Sequence, residues 1–109
     1  MKEIKAIIQT DRLSVVLRAL HKMPDVPGVT VSVVRGFGRR YPPEGGELMF
    51  DEVHMTKVEI VVPSAVANDV VSTIERAAHS GNMGDGNIFV IPVEQAVKIR
   101  SGQRDGEAL

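Results

Sequence analysis

Two strand–helix–strand patterns, separated by a stretch that supports neither element, dominate this 109-residue sequence. In the first, Ile4, Ala6 and Ile8 alternate through Lys2 to Gln9, and a period of two places one apolar row on one face of a strand. Leu13, Val16, Leu17 and Leu20 then recur at helical spacing behind Thr10 or Asp11 as a candidate N-cap. Pro24, Pro27 and Gly28 stop that helix. Val29 to Arg35 is β-branched enough for a second strand, with Val29, Val31 and Val33 on one face and Thr30 and Ser32 on the other. The second pattern begins near His54, where Val58, Ile60 and Val62 alternate against Lys57, Glu59 and Val61. Pro63 and Ser64 open a helix whose stripe is Val66, Val70, Ile74 and Ala78, widened by Val71 and Ala77. Asn87 to Val93 forms a fourth strand, and Gln95 to Arg100 a short irregular piece ending in a possible edge strand. The polar tail 101–109 is predicted to be flexible.

This order predicts one α+β domain over 1–109: a ferredoxin-like, split βαβ antiparallel sheet with two helices and a long loop between strands 2 and 3. Both helices cover one face of such a sheet, leaving Val34 and Val61 on the other. An exposed apolar face of that extent is an interface, and a closed symmetric ring is the simplest assembly. Between the two units, 36–53 loses all periodicity, and Tyr41-Pro42-Pro43-Glu44-Gly45-Gly46 fits no regular element. A loop of this length is either a contact arm or a tolerated insertion; we take it as a mobile contact arm. Leu48, Met49 and Phe50 are its apolar tip.

Net charge is −1 and charged residues make up 25% of the chain, so the composition gives no bulk nucleic-acid signal and any anion site must be local. No apolar run reaches membrane-span length, and Met1 to Thr10 lacks a signal-peptide core, which points to the cytoplasm. Without cysteine there are no disulfides, thiolate metal sites or cysteine nucleophiles. No nucleophile lies beside a base and there is no H-E-x-x-H, so the sequence offers no catalytic residues and the expectation is that the chain is not an enzyme. His21, His54 and His79 are scattered; Glu52 and His54 share a face if extended, where they bind a divalent cation or face water.

Chemistry concentrates in Ser80-Gly81-Asn82-Met83-Gly84-Asp85-Gly86-Asn87, the turn from the second helix into the last strand. Glycines permit positive φ and remove Cβ atoms that would block an anion from backbone N–H groups. The same composition also suits a plain helix-to-strand connection. Gly81 and Gly86 have G-x-x-x-x-G spacing, but Asn87-Ile88 follow where a phosphate-binding loop of the Walker type has Lys-Ser/Thr, and a strand follows where that motif has a helix.

Four segments in order, Met1-Lys2-Glu3-Ile4-Lys5-Ala6-Ile7-Ile8, Gly36-Phe37-Gly38-Arg39, Val58-Glu59-Ile60-Val61-Val62-Pro63 and Ser80 to Val90, resemble the PII signal-transduction family, from about Met1 to Gly102. The resemblance implies a homotrimer of ferredoxin-like subunits that binds an adenine nucleotide (ADP, AMP or ATP) in intersubunit clefts. By position, Ile7, Thr30, Gly36, Phe37, Glu59 and Val61 would surround the adenine. Gly84, Asp85 and Gly86 would hold phosphates through backbone amides, next to Asn87, and Gly38 and Arg39 would stand at the loop entrance. Arg39, Lys98 and Arg100 would supply positive charge, although each is also an ordinary surface cation. The resemblance further implies a regulated partner, with a membrane transporter as the family's typical class, engaged through Arg40, Leu48, Met49 and Phe50.

Departures from the family pattern matter as much. Asn87 stands where lysine follows the phosphate turn, Lys98 replaces an arginine, and Arg40 and Met55 stand where glutamine and lysine serve 2-oxoglutarate. The loop is shorter, and the modified tyrosine aligns with Met49, since Tyr41 sits at the loop base. ADP or AMP is therefore expected to bind at least as well as ATP, and 2-oxoglutarate to have little effect. The alternative is a metal- or small-anion-binding trimer with a role in metal tolerance or bicarbonate response.

Overall fold

The computed structural model describes residues 1–42 and 44–109, with Arg40 described in its backbone alone. Pro43, one of the expected loop breakers, and the Arg40 side chain, an expected partner contact, thus lie outside the described residues. The elements are β1 (Lys2–Ile8), α1 (Leu13–His21), β2 (Thr30–Arg40), β3 (Met49–Val62), α2 (Ala67–Ala78) and β4 (Gly86–Pro92), with 3₁₀ turns at Thr10–Arg12, Ser64–Val66 and Asp105–Ala108. The sheet order is β2-β3-β1-β4 and every pairing is antiparallel. This is the expected ferredoxin-like arrangement.

The register explains the core. Ile4, Ala6 and Ile8 pair with Ile60, Val58 and Thr56, and all six are essentially sealed from solvent. Val16 and Leu20 of α1 and Ala67, Val70, Ile74 and Ala77 of α2 close over that row. The α2 stripe runs as its spacing predicts, with Val66 and Val71 partly buried at its margins. Val31 and Val33, opposite Val58 and Thr56, share the core face but remain exposed. They sit on the edge strand, beyond the reach of the helices.

Three expectations are corrected. Neither Thr10 nor Asp11 caps α1 with its side chain; the Thr10 hydroxyl instead bonds the Thr56 hydroxyl at 2.9 Å, satisfying the buried polar group of the core. The stretch 36–53 is not a loop throughout: the ladder of β2 and β3 continues from Gly36↔Val53 to Arg40↔Met49. Its sequence hides this because neither face of a projecting hairpin is buried, so apolar alternation has nothing to encode. Side-chain contacts within and across the strands hold it instead. Arg35 Nε donates to Glu52 Oε1 at 2.6 Å, and the guanidinium groups of Arg35 and Arg39 lie 5.5 and 5.6 Å from the ring centres of Phe37 and Phe50.

The third correction concerns the C-terminal segment. Instead of an edge strand, Val97 makes a single bridge with Arg104, and Asp105 clasps Ala96 through its backbone N–H and its carboxylate. Asp105 does so at φ +53, a left-handed conformation that aspartate tolerates better than most residues. Lys98 and Arg100 therefore sit on a tight turn closed by Gly102 N–H to Lys98 C=O at 2.7 Å. They are not alternate residues of a strand.

The uncovered sheet face is not uniformly apolar. Val34, Val61, Ile7 and Ile91 are half-buried there, but strand alternation also places Glu3, Lys5, Lys57 and Glu59 across its middle. Because Ile74 is sealed between α2 and the sheet, Ile74→Ala is expected to cost about 2–5 kcal/mol. A lower urea midpoint with an unchanged slope would show it.

Candidate functional site

The glycine turn is built around Asp85. Ser80 N–H and Gly81 N–H each donate to Asp85 Oδ2 at 2.9 Å, and the Ser80 hydroxyl donates to Oδ1. These bonds, led by that from the Ser80 hydroxyl, hold the Asp85 carboxyl below its ordinary value, with a smaller contribution from His79, whose Nδ1 is 3.8 Å away. Asp85 thus folds its side chain back into the turn. Gln9 at the end of β1 fastens the other side, donating to Gly84 C=O at 3.3 Å.

Gly86 fixes the turn against the sheet. Its φ is +99°, and a Cβ there would overlap the backbone carbonyl of Ile7. Only glycine lets β4 start this close to β1. Gly81 and Gly84 are also left-handed, at +85° and +92°. Positive φ at these three glycines was the signal legible in the sequence; Gln9 gave none.

Two clefts open on the uncovered sheet face. The first, about 360 Å³, lies at the base of the hairpin and is lined by Ile7, Gly36, Phe37, Gly38, Val53, Met55, Gly84, Gly86 and Asn87. It unites seven of the nucleotide-site residues selected from the sequence with Met55, marked there only as a departure from the family pattern, and with Val53, which was not marked. Met55 is buried there outside the main core, so the wall of this cleft that family resemblance would make cationic is a thioether. The second cleft, about 670 Å³, is lined by Thr30, Glu59, Val61 and Lys98 among others, with Glu3 on its floor and Ala108 and Leu109 at its rim. On β1 the clefts are marked by Ile7 and Glu3, four residues or about 13 Å apart. Arg39 and Arg100 line neither cleft, and Asp85 lies beside the first, on a smaller pocket with His79. One chain therefore divides most of the selected residues between two separate clefts.

The family model described as nitrogen regulatory protein P-II matches residues 1–103. The chain belongs to the P-II family. It is 39% identical to the nitrogen regulatory protein P-II of Azospirillum brasilense and 41% identical to nitrogen regulatory protein P-II 1 of Escherichia coli K12, over 100% of both chains in each case. Its fold is similar to a crystal structure of Arabidopsis thaliana PII bound to citrate, with a TM-score of 0.84 and 38% identity over 99% of this chain and 91% of that one. P-II proteins are regulatory signal transducers, and among the described residues no helix is long and apolar enough to cross a membrane.

On the hairpin, Glu52 Oε1 lies 3.4 Å from His54 Nε2 as well as 2.6 Å from Arg35. The Arg35 hydrogen bond lowers the Glu52 carboxyl from its ordinary value. Glu52 is thus spent on Arg35, which counts against the divalent-cation reading of the Glu52–His54 pair.

Two outcomes are expected at the turn. Gly86→Ala should cost more than about 2 kcal/mol in unfolding free energy, since both a left-handed φ and a backbone overlap must be relieved. For Asp85, a depressed folded-state pKa means that its contribution is complete above the unfolded value and is lost as pH falls through the folded one. The Ser80 and Gly81 amide resonances should therefore stay fixed through neutral pH and shift only below the ordinary aspartate range. In Asp85→Asn they should be displaced at every pH.

Proposed function

We propose that this P-II family member is an adenine-nucleotide-responsive regulator whose ligand site is completed by a second copy of the chain within a homotrimer. The observation that carries the reading is the division of the selected residues into two clefts on one open sheet face. In a ring, the glycine-turn cleft of one subunit would meet the Thr30–Lys98 cleft of the next. Gly84 and Gly86 would then offer N–H groups to phosphates while Lys98 and Arg100 come from the neighbour to neutralise them. The citrate on the Arabidopsis relative is itself a multiply charged anion, in keeping with an anion site on this fold.

Nucleotide occupancy would be read out by the hairpin, because Gly36, Phe37 and Gly38 belong both to the first cleft and to the arm. Met49 and Phe50, at the arm's outer end, are exposed, and Leu48 precedes them in the connecting loop. With Arg40 they form the proposed contact with a regulated protein, for which a membrane transporter is the class that the family resemblance suggests. Asn87 and Met55 are both neutral, which argues for weak dependence on a terminal phosphate and on 2-oxoglutarate.

Calorimetry tests this directly. ADP or AMP should bind at least as tightly as ATP, and 2-oxoglutarate should shift neither. Arg100→Ala should weaken all three nucleotides, by about ten- to a hundredfold for each charge-assisted hydrogen bond lost. A marked ATP preference strengthened by 2-oxoglutarate would overturn the effector reading. Light scattering that gives a monomer at micromolar concentration would overturn the shared site.

A further inference from the structure

Asp-Gly occurs twice in the sequence, at Asp85-Gly86 and Asp105-Gly106. In this dipeptide the glycine nitrogen can reach the aspartate Cγ, because no Cβ on the second residue obstructs it. The structure treats the two pairs oppositely. Both oxygens of Asp85 are engaged: Ser80 N–H and Gly81 N–H donate to Oδ2 at 2.9 Å, and the Ser80 hydroxyl donates to Oδ1. These bonds favour the ionised carboxylate, which is the poorer electrophile. Gly86 opens β4 opposite Ile8 and is packed against the Ile7 carbonyl, so the peptide between 85 and 86 has no room to turn.

Asp105-Gly106 carries few of these restraints. Both residues are exposed. Asp105 stands at φ +53, a left-handed conformation that costs any residue with a side chain. Its carboxylate has one hydrogen-bond partner among the described residues, Ala96 N–H, which donates to Oδ1 at 3.2 Å. Gly106 is the second residue of the 3₁₀ turn Asp105–Ala108, where N–H groups lack an intrahelical acceptor, and it donates to no backbone group among the described residues. A Cβ at 106 would meet nothing within 4 Å, so this peptide has space to swing toward the Asp105 side chain. The Ala96 N–H, aimed at a carboxyl oxygen, stabilises charge that develops there when Cγ is attacked.

We propose that Asp105 is a site of spontaneous isoaspartate formation, and that the modification releases the clasp between Asp105 and Ala96. In the first step the Gly106 nitrogen attacks the protonated Asp105 carboxyl. An N–Cγ bond forms, the Cγ–OH bond breaks, and the amide proton leaves with the hydroxyl as water, giving a five-membered succinimide. Water then adds to the carbonyl on the Cα side, and the original peptide C–N bond breaks. The main chain now runs through Cβ and Cγ, one methylene longer, with a free α-carboxylate. The carboxyl group that accepted from Ala96 has become a main-chain amide. Ala108 and Leu109, at the rim of the Thr30–Lys98 cleft, are then no longer fixed through Asp105. Nothing in this chemistry depends on what that cleft binds.

Wild-type protein is aged at physiological temperature and mildly acidic pH, folded and in urea, and isoaspartate is located by methyltransferase labelling and peptide mapping. In urea the two Asp-Gly pairs should react at similar rates. In the folded protein Asp105 should react at least about tenfold faster than Asp85, whose charge-assisted hydrogen bonds must break first. Gly106→Ala, which the open space at 106 accommodates, should abolish labelling at Asp105 over the same interval. In the isoaspartate form, separated by chromatography, the Ala96 amide should lose its protection from deuterium exchange while the Ile4 and Ile60 amides keep theirs. Equal labelling of Asp85 and Asp105 in the folded protein, or labelling of Asp105 only in urea, would overturn the assigned site. Unchanged exchange at Ala96 in the isoaspartate form would overturn the release of the clasp.

Discussion

The seat of Gly86 against the Ile7 carbonyl is the contact on which the functional half of the molecule depends. It allows β4 to pair with β1 from its first residue, Gly86↔Ile8, and so brings the glycine turn to the hairpin base where Gly36 to Gly38 complete the first cleft. A side chain at 86 would lift the turn off the sheet and open that cleft, whatever happened to the core. Backbone packing density, not side-chain chemistry, thus sets the geometry of the candidate anion site.

Around that contact the turn is over-determined. Asp85 gathers Ser80 and Gly81, and Gln9 holds Gly84 from β1. These bonds stabilise the ionised Asp85 carboxylate and turn it onto donors of its own loop. Its negative charge remains, but it lies beside the first cleft and does not line it.

The hairpin follows a different logic. The long axis of 57 Å, against 24 and 21 Å across, reflects strands that run well past the helices. With no core beneath it, the arm is held by its backbone ladder, by exposed pairs such as Arg35–Glu52, and by guanidinium–ring contacts, each modest in water. Such an arm can be displaced by a partner at little cost to the body, whose stability lies in the Ile4–Ile60–Ile74 layer.

The sequence by itself determined the element order, the core rows and the candidate residues. Ile4, Ala6, Ile8, Val58, Ile60 and Val70 announce their burial through periods of two and 3.6, because burial on one face is what periodicity records. It also marked the glycine turn, since Gly81, Gly84 and Gly86 are needed for positive φ. Tertiary structure alone decided the features that leave no periodic trace. The hairpin 36–53 has two exposed faces, the Asp105 clasp rests on one left-handed residue, and Met55 is buried on the face where alternation places polar residues. The division of the selected residues between two clefts, and the diagonal placement of Glu3 and Glu59 across β1 and β3, were likewise invisible. They depend on the β1–β3 register, and a register is fixed only when distant strands pair.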